Sequence, residues 1–253
     1  SWPGRPISYN GNECGGGRRT YLNFTALYFF VQFMGLKSNK KFIIGVDEAG
    51  RGPLAGPITI GAIVIGPLNS RPAKGGARLV PPASFSLKRG ERSGTAKSKI
   101  LKDIKDSKKL TPRQREKWLE ILKNNFEYKT ASISSKIIDR IGIQKAVSLA
   151  VARVLHKIVG APTSDKLVLL DGLLKAPKQY NQKTIIKGDE KIPIISAASI
   201  VAKVTRDKKM LRFHKKYPQY GFDKHKGYGT RHHYKMLKRH GPCPIHRKTF
   251  RLS

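Results

Sequence analysis

The stretch Phe42-Ile43-Ile44-Gly45-Val46-Asp47-Glu48-Ala49-Gly50-Arg51-Gly52-Pro53-Leu54-Ala55-Gly56-Pro57 decides how this chain is read. An apolar, β-leaning run ends abruptly in two adjacent carboxylates, and a Gly-Arg-Gly turn follows at once. Solubility does not account for the acids, because the chain carries 51 Lys+Arg against only 16 Asp+Glu. Crowded carboxylates repel one another unless a cation sits between them, so Asp47 and Glu48 point to a divalent metal site. The neighbouring glycines let the main chain approach a ligand closely. Together they suggest a metal-dependent site facing a polyanion.

Working outward, Phe42–Val46 and Ile58–Ile65 read as strands joined by the Gly/Pro-rich turn. Residues 69–102 are rich in Pro, Gly, Ser, Lys and Arg without periodicity, and read as a basic, disordered insertion. Thr111-Pro112 then starts a helix to about Asn125, with Thr as N-cap and Pro at the first position. Phe126–Ile133 alternates as a strand. Ser134–Val159 reads as helix in two pieces broken around Gly142, with Ala146, Leu149, Ala150, Val154 and Ile158 as the buried stripe. Lys166–Leu170 is a short apolar strand ending at Asp171-Gly172, and Thr184–Lys187 is a further short strand. A long helix covers about Ser196 to Tyr217, and residues 231–239 form a last short one. Strands followed by alternating strand and helix indicate an α/β domain.

Three acidic positions share one logic. Asp47 and Asp171 each terminate an apolar strand, and ligands of open α/β sheets gather beyond the carboxyl ends of strands. If the two strands are neighbours, both carboxylates project from one sheet edge. Asp207 lies on the long helix, in a polar stripe with Lys203, Ser199 and Ser196. Ala197, Ala198, Ile200, Val201, Ala202 and Val204 surround that stripe, so it faces a cleft rather than solvent. Oxygen ligands at Asp47, Glu48, Asp171 and Asp207 suit Mg²⁺ or Mn²⁺ and not zinc. Two such ions serve in-line displacement at phosphate. Glycoside hydrolysis by a carboxylate pair is the competing chemistry, and the cationic surface argues against a neutral polysaccharide.

The net charge of +35 over 253 residues favours a nucleic-acid partner, because Lys and Arg neutralise phosphates and release counterions. A basic, ribosome-associated protein would share the charge but not the acids. Apolar content of 39% is enough for a core. The two cysteines, Cys14 and Cys243, form no paired spacing, so a reducing compartment and a cytoplasmic location are expected. His240, Cys243 and His246 lack a second Cys/His pair and read as a proline-braced loop, not a zinc site. Tyr21 to Phe33 is apolar but too short for a membrane span. Organised sequence begins near Lys41, so Met34 is read as the native start. Residues 1–40 then form an N-terminal extension, disordered or non-native, and 41–253 the catalytic domain.

These residues resemble a known family, the bacterial-type ribonucleases HII, over roughly residues 42–68 and 103–250. The resemblance rests on five ordered motifs: Gly45 through Pro57; Asp106-Ser107-Lys108-Lys109-Leu110; Leu170-Asp171-Gly172; Ser196 through Asp207; and Tyr220-Gly221-Phe222 with Lys226 through Thr230. It implies an RNase H-like fold, a mixed central sheet flanked by helices with a C-terminal helical segment. It implies hydrolysis of the RNA strand in RNA–DNA hybrids, and incision of duplex DNA on the 5′ side of an embedded ribonucleotide. The family's metal-binding acids map onto Asp47, Glu48, Asp171 and Asp207, with two divalent ions, Mn²⁺ or Mg²⁺. Gly50, Arg51 and Gly52 match the segment that reads the ribose 2′-OH through its backbone, and Tyr228 matches the junction-sensing tyrosine. Lys108, Lys109, Lys203 and Ser199 are candidate substrate contacts. Asp106 could instead cap local backbone, and Asp189 reads as a turn residue. A monomer is expected, and a replication clamp is a candidate partner although Arg251-Leu252-Ser253 shows no convincing clamp-binding motif. A nucleic-acid binder that keeps the fold without the activity is the alternative, and the acids argue against it.

Overall fold

The computed structural model describes residues 42–66, 100–101, 104 and 110–252. The two β-branched runs flanking the Gly/Pro turn form β1 (Phe42–Ala49) and β2 (Ile58–Ile65), paired antiparallel. Helix α1 (Pro112–Asn125) starts at a reciprocal cap, with the Thr111 hydroxyl accepting from the Gln114 N–H and the Gln114 side chain accepting from the Thr111 N–H. Strand β3 (Glu127–Ile133) follows, then α2 (Ser135–Ile141) and α3 (Ile143–Val159), separated at Gly142 as the sequence suggests. Strands β4 (Lys166–Asp171) and β5 (Gln182–Ile185), a single turn α4 (Gly188–Lys191) and the long helix α5 (Pro193–Lys216) come next. A short turn of 3₁₀ helix at Pro218–Tyr220 and helices α6 (Phe222–His225) and α7 (Arg231–His240) complete the chain.

Among the described residues the strands make one mixed sheet in the order β3-β2-β1-β4-β5. The outer pairs on the β2 side are antiparallel, while β1–β4 and β4–β5 are parallel. Helix α3 covers one face, burying Ala146, Val147, Ala150, Val151, Val154, Leu155 and Ile158 against Ile44, Val46, Val168 and Leu170. Leu149, expected in that stripe, is half-buried at its margin. Helices α1 and α5 cover the other face. The expected α/β architecture is what forms.

Two strand glycines set how closely α5 lies on the sheet. A Cβ on Gly45 would run into the Ile194 main chain, and one on Gly61 would sit 2.5 Å from the Ala198 carbonyl oxygen and 2.8 Å from the Ala202 nitrogen. Their absence lets the helix backbone rest directly on β1 and β2, which brings Ser199 and Lys203 to the strand that carries the acids.

Several expectations shift. The fifth strand begins two residues earlier than Thr184, because its register is set by parallel pairing of Gln182 with Val168. Ile100 and Leu101, at the end of the segment read as an insertion, are buried in the core with Ile104 and Leu110. Residues 1–41, 67–99, Lys108, Lys109 and Asp106 lie outside the described residues, and so does Ser253 of the terminal tripeptide. No helix among the described residues is long and apolar enough to cross a membrane. The Tyr21–Phe33 run is not among them.

Candidate active site

Parallel pairing of β1 with β4 aligns Val46 with Leu170, so Asp47 and Asp171 follow as neighbours at the carboxyl ends of two central strands. Val46 and Leu170 point into the α3 side of the core, and alternation turns the two acids toward α5. The cleft there encloses about 300 Å³ and is lined by Asp47, Glu48, Asp171, Ser199, Lys203 and Tyr228, with Gly50–Gly52 along its rim.

Asp47 is 4% exposed. Burial, joined by repulsion from Asp171 and Glu48, pushes its carboxyl up to about 8, while the Ser199 hydroxyl and the Glu48 N–H offset part of the effect. Ser199, a candidate substrate contact, hydrogen-bonds the acid and lines the cleft. Asp171 Oδ1 accepts from the N–H groups of Gly188 at 2.6 Å and Asp189 at 3.3 Å. The remaining two acids are each held by a cation of the same chain. Arg51 grips Glu48 through Nε at 2.5 Å and Nη2 at 3.1 Å, and Lys203 Nζ lies 3.0 Å from Asp207 Oδ1. Asp207 thus stands beside the cleft, one helical turn beyond Lys203, and is not part of its lining.

The donor set fits a hard divalent cation: carboxylates at the ends of adjacent strands, of which Asp47 is buried and repelled by Asp171 and Glu48. With Glu48 turned to Arg51 and Asp207 to Lys203, no three acidic, imidazole or thiol groups among the described residues converge as a ready-made ligand cage. Coordination by all four acids would need their side chains to converge further than they do here.

Tyr228 is 44% exposed and stands over the cleft, with Lys203 Nζ and the Arg206 guanidinium each 5.8 Å from its ring centre. Its loop hangs on a chain of imidazoles that the sequence did not reveal. The Cys243 N–H donates to His246 Nδ1, the two Nε2 atoms of His246 and His233 are 2.9 Å apart, and His233 Nδ1 is 2.9 Å from the Tyr228 carbonyl. One neutral tautomer set satisfies every link: His246 donates from Nε2 and His233 donates from Nδ1. Cys243 and His246 are accordingly built into this hydrogen-bonded chain, while His240 ends α7.

Burial holds His233 well below the ordinary imidazole range, at about 4, with His225, His246 and His232 adding repulsion against the favourable Tyr228 carbonyl. His246 and His225 are lowered by burial as well. The unfolded chain takes up the His233 proton below about 6.5, so the fold is at full strength above that pH and weakens as pH falls toward 4. The loss from His233 reaches about 3 kcal/mol across the window. Urea unfolding at pH 5 to 7 should show this slope in the parent chain and a shallower one in His233→Gln; equal slopes would remove His233 as the cause.

The sequence also passed over Asp189, Arg115, Arg206 and Arg247. Asp189, read as a turn residue, is buried in α4 and lines the cleft, as does Arg115 from α1. Arg206 and Arg247 are fully buried beneath the Gly-Arg-Gly turn. Gly50 is the one position there with no alternative: its φ is +97°, and a Cβ would collide with the Arg206 side chain.

A family model described as Ribonuclease HII matches residues 95–253. The ribonuclease HII of Caldicellulosiruptor bescii is 39% identical over 224 residues, covering 88% of this chain and 93% of its own length. Among solved structures, the ribonuclease H2 of Pyrococcus horikoshii OT3 superposes with a TM-score of 0.58 at 28% identity, covering 83% of this chain and 94% of that one. Bst-RNase HIII in complex with Mn²⁺ shares the fold at a TM-score of 0.57 and 17% identity, over 81% of this chain and 64% of that one. Matched over most of its length by such relatives, and carrying a cleft of strand-end carboxylates on the same fold, the chain belongs to the ribonuclease HII family of ribonuclease H-type endonucleases.

Proposed function

We propose that this chain hydrolyses the RNA strand of RNA–DNA hybrids and incises duplex DNA on the 5′ side of an embedded ribonucleotide, leaving 3′-hydroxyl and 5′-phosphate ends. The observation that carries the proposal is the pairing of Asp47 and Asp171 on adjacent parallel strands in a cleft rimmed by Gly50–Gly52 and Tyr228. Asp47, Glu48, Asp171 and Asp207 would hold two divalent ions, Mn²⁺ or Mg²⁺. When bound, such ions supply activation of the attacking water and stabilisation of charge at the phosphate.

The chain's own residues do the rest. Ser199 orients the Asp47 carboxylate, and the Gly188 and Asp189 amides orient Asp171. Arg51 and Lys203 sit at the cleft, where release from Glu48 and Asp207 would free both cations for phosphate oxygens. The Gly50–Gly52 backbone meets the ribose 2′-OH, the group that separates RNA from DNA. Tyr228 offers its exposed ring to the sugar on the other side of the junction. Lys108 and Lys109 are assigned to phosphate on the Asp-Ser-Lys-Lys-Leu motif alone.

The test is incision of a labelled DNA duplex carrying one ribonucleotide, with Mg²⁺, Mn²⁺ or EDTA. A single metal-dependent cut immediately 5′ of the ribonucleotide supports the full reading. Cleavage of a continuous hybrid without that cut would overturn the roles of Gly50–Gly52 and Tyr228. Tyr228→Ala should slow single-ribonucleotide incision by roughly tenfold or more, and at least as much as cleavage of a long hybrid. The opposite order would take Tyr228 away from the junction.

A further inference from the structure

Arg247 lies five residues before Leu252, the last described residue, and is 0% exposed. Each of its three side-chain nitrogens donates to one loop: Nη2 to the Gly50 carbonyl at 2.6 Å, Nη1 to the Arg51 carbonyl at 2.7 Å and Nε to the Gly56 carbonyl at 3.1 Å. The C-terminal segment is tied to the same loop by main-chain bonds, from the Gly56 N–H to the Ile245 carbonyl and from the Arg247 N–H to the Leu54 carbonyl, both at 2.8 Å. Arg206 supports the loop from α5 through the Pro57 and Ala55 carbonyls.

A trans peptide points its C=O and N–H in opposite directions. The Gly50 carbonyl shares its peptide with the Arg51 N–H, and the Arg51 carbonyl shares its peptide with the Gly52 N–H. Drawing both carbonyls inward onto Arg247 therefore turns both N–H groups outward, to the side where Arg51 and Gly52 line the cleft. Among the described residues, neither amide donates to another main-chain carbonyl. A cation on the oxygen side also polarises each peptide and strengthens its N–H as a donor. Burial and the nearby Arg206 lower the Arg247 guanidinium to about 9, so it keeps its charge at neutral pH.

We infer that Arg247 is a positioning residue for ribose recognition: by fixing the Gly50 and Arg51 carbonyls, it aims the Arg51 and Gly52 amides at the 2′-hydroxyl side of the scissile junction. The C-terminal segment is thereby part of the element that distinguishes RNA from DNA, although it reaches the substrate only through the main chain of another loop. This rests on the proposed role of Gly50–Gly52, and the experiment separates the two.

The probes are a DNA duplex with one ribonucleotide and the same duplex all-deoxy, with binding read by fluorescence anisotropy in EDTA. The parent chain should prefer the ribonucleotide duplex. Arg247→Ala, and Arg247→Lys, which keeps the charge but not the three-way fork, should reduce that preference at least tenfold while changing all-DNA affinity less than threefold. An unchanged preference in a folded variant, or a proportionate loss on both duplexes, overturns the inference. Should neither variant fold, amide hydrogen exchange of the parent chain decides: the ribonucleotide duplex must protect Arg51 and Gly52 more than the all-deoxy duplex, and equal protection overturns it. A parent chain with no preference at all would instead remove the 2′-OH reading of the loop itself.

Discussion

Asp47→Asn is expected to reduce cleavage by about a thousandfold or more, because it removes the most buried of the four candidate metal ligands. Duplex affinity should stay within about threefold, since phosphate binding is carried by the cationic surface and a carboxylate only opposes it. The melting temperature of the metal-free protein should rise. Asn has the shape of Asp, keeps an oxygen to accept from the Ser199 hydroxyl, and relieves repulsion with Asp171 and Glu48 in a site where burial already penalises charge. Loss of activity with gain of stability is the signature of a site strained for function rather than packing. Asp171→Asn should lose activity in the same way, with its oxygen still able to accept from the Gly188 amide. A folded Asp47→Asn protein that cleaves at the parent rate would dismiss the acid from the reaction.

Why the acids could be read in the sequence, while their partners could not, has a physical cause. Asp47 and Asp171 announce themselves because each closes an apolar strand, and strand neighbours share a sheet edge whichever helices cover it. Helix α1 was legible to the residue because its cap is local, made by Thr111 and Gln114 three positions apart. Strand β5 was misplaced because Gln182–Ile185 is too short for alternation to settle its limits, and its pairing with β4 is a tertiary fact. Asp189 sits in a four-residue helix, below the length at which periodicity means anything, and is buried by packing that its neighbours in sequence do not encode.

The buried arginines were the least legible. In a chain with 51 Lys+Arg, composition cannot mark which two are removed from solvent. Arg247 finds its acceptors near position 50, some two hundred residues upstream, and Arg206 finds its own between 55 and 57. Likewise only Ser199 and Lys203 of the polar stripe on α5 line the cleft, with Asp207 beside it, and spacing alone could not say that Ser199 would bond Asp47 or that Lys203 would hold Asp207. Periodicity assigns a face. The partner on that face is chosen by the opposing strand.

That dependence makes Gly61→Val the second large effect. Gly61 pairs directly with Asp47 across the β1–β2 ladder, so any side chain placed there shares the acid's face. Its first carbon would stand 2.5 Å from the Ala198 carbonyl oxygen and 2.8 Å from the Ala202 nitrogen. Both obstacles are helix main chain, which cannot turn aside as a flexible side chain can. Val must therefore lift α5 from the sheet, at about 3 kcal/mol or more of stability. Ser199 and Lys203 move with the helix, so cleavage should fall by about a hundredfold in whatever protein remains folded. Gly61→Ala should move both quantities in the same direction by less. Gly52→Ala is the stability control, because nothing lies within 4 Å of a Cβ there and its backbone needs no left-handed conformation; it should change stability by about 0.5 kcal/mol or less. Urea unfolding of the three variants beside single-ribonucleotide incision would check this, and a Gly61→Val protein as stable as Gly52→Ala would show that α5 does not rest on the strand.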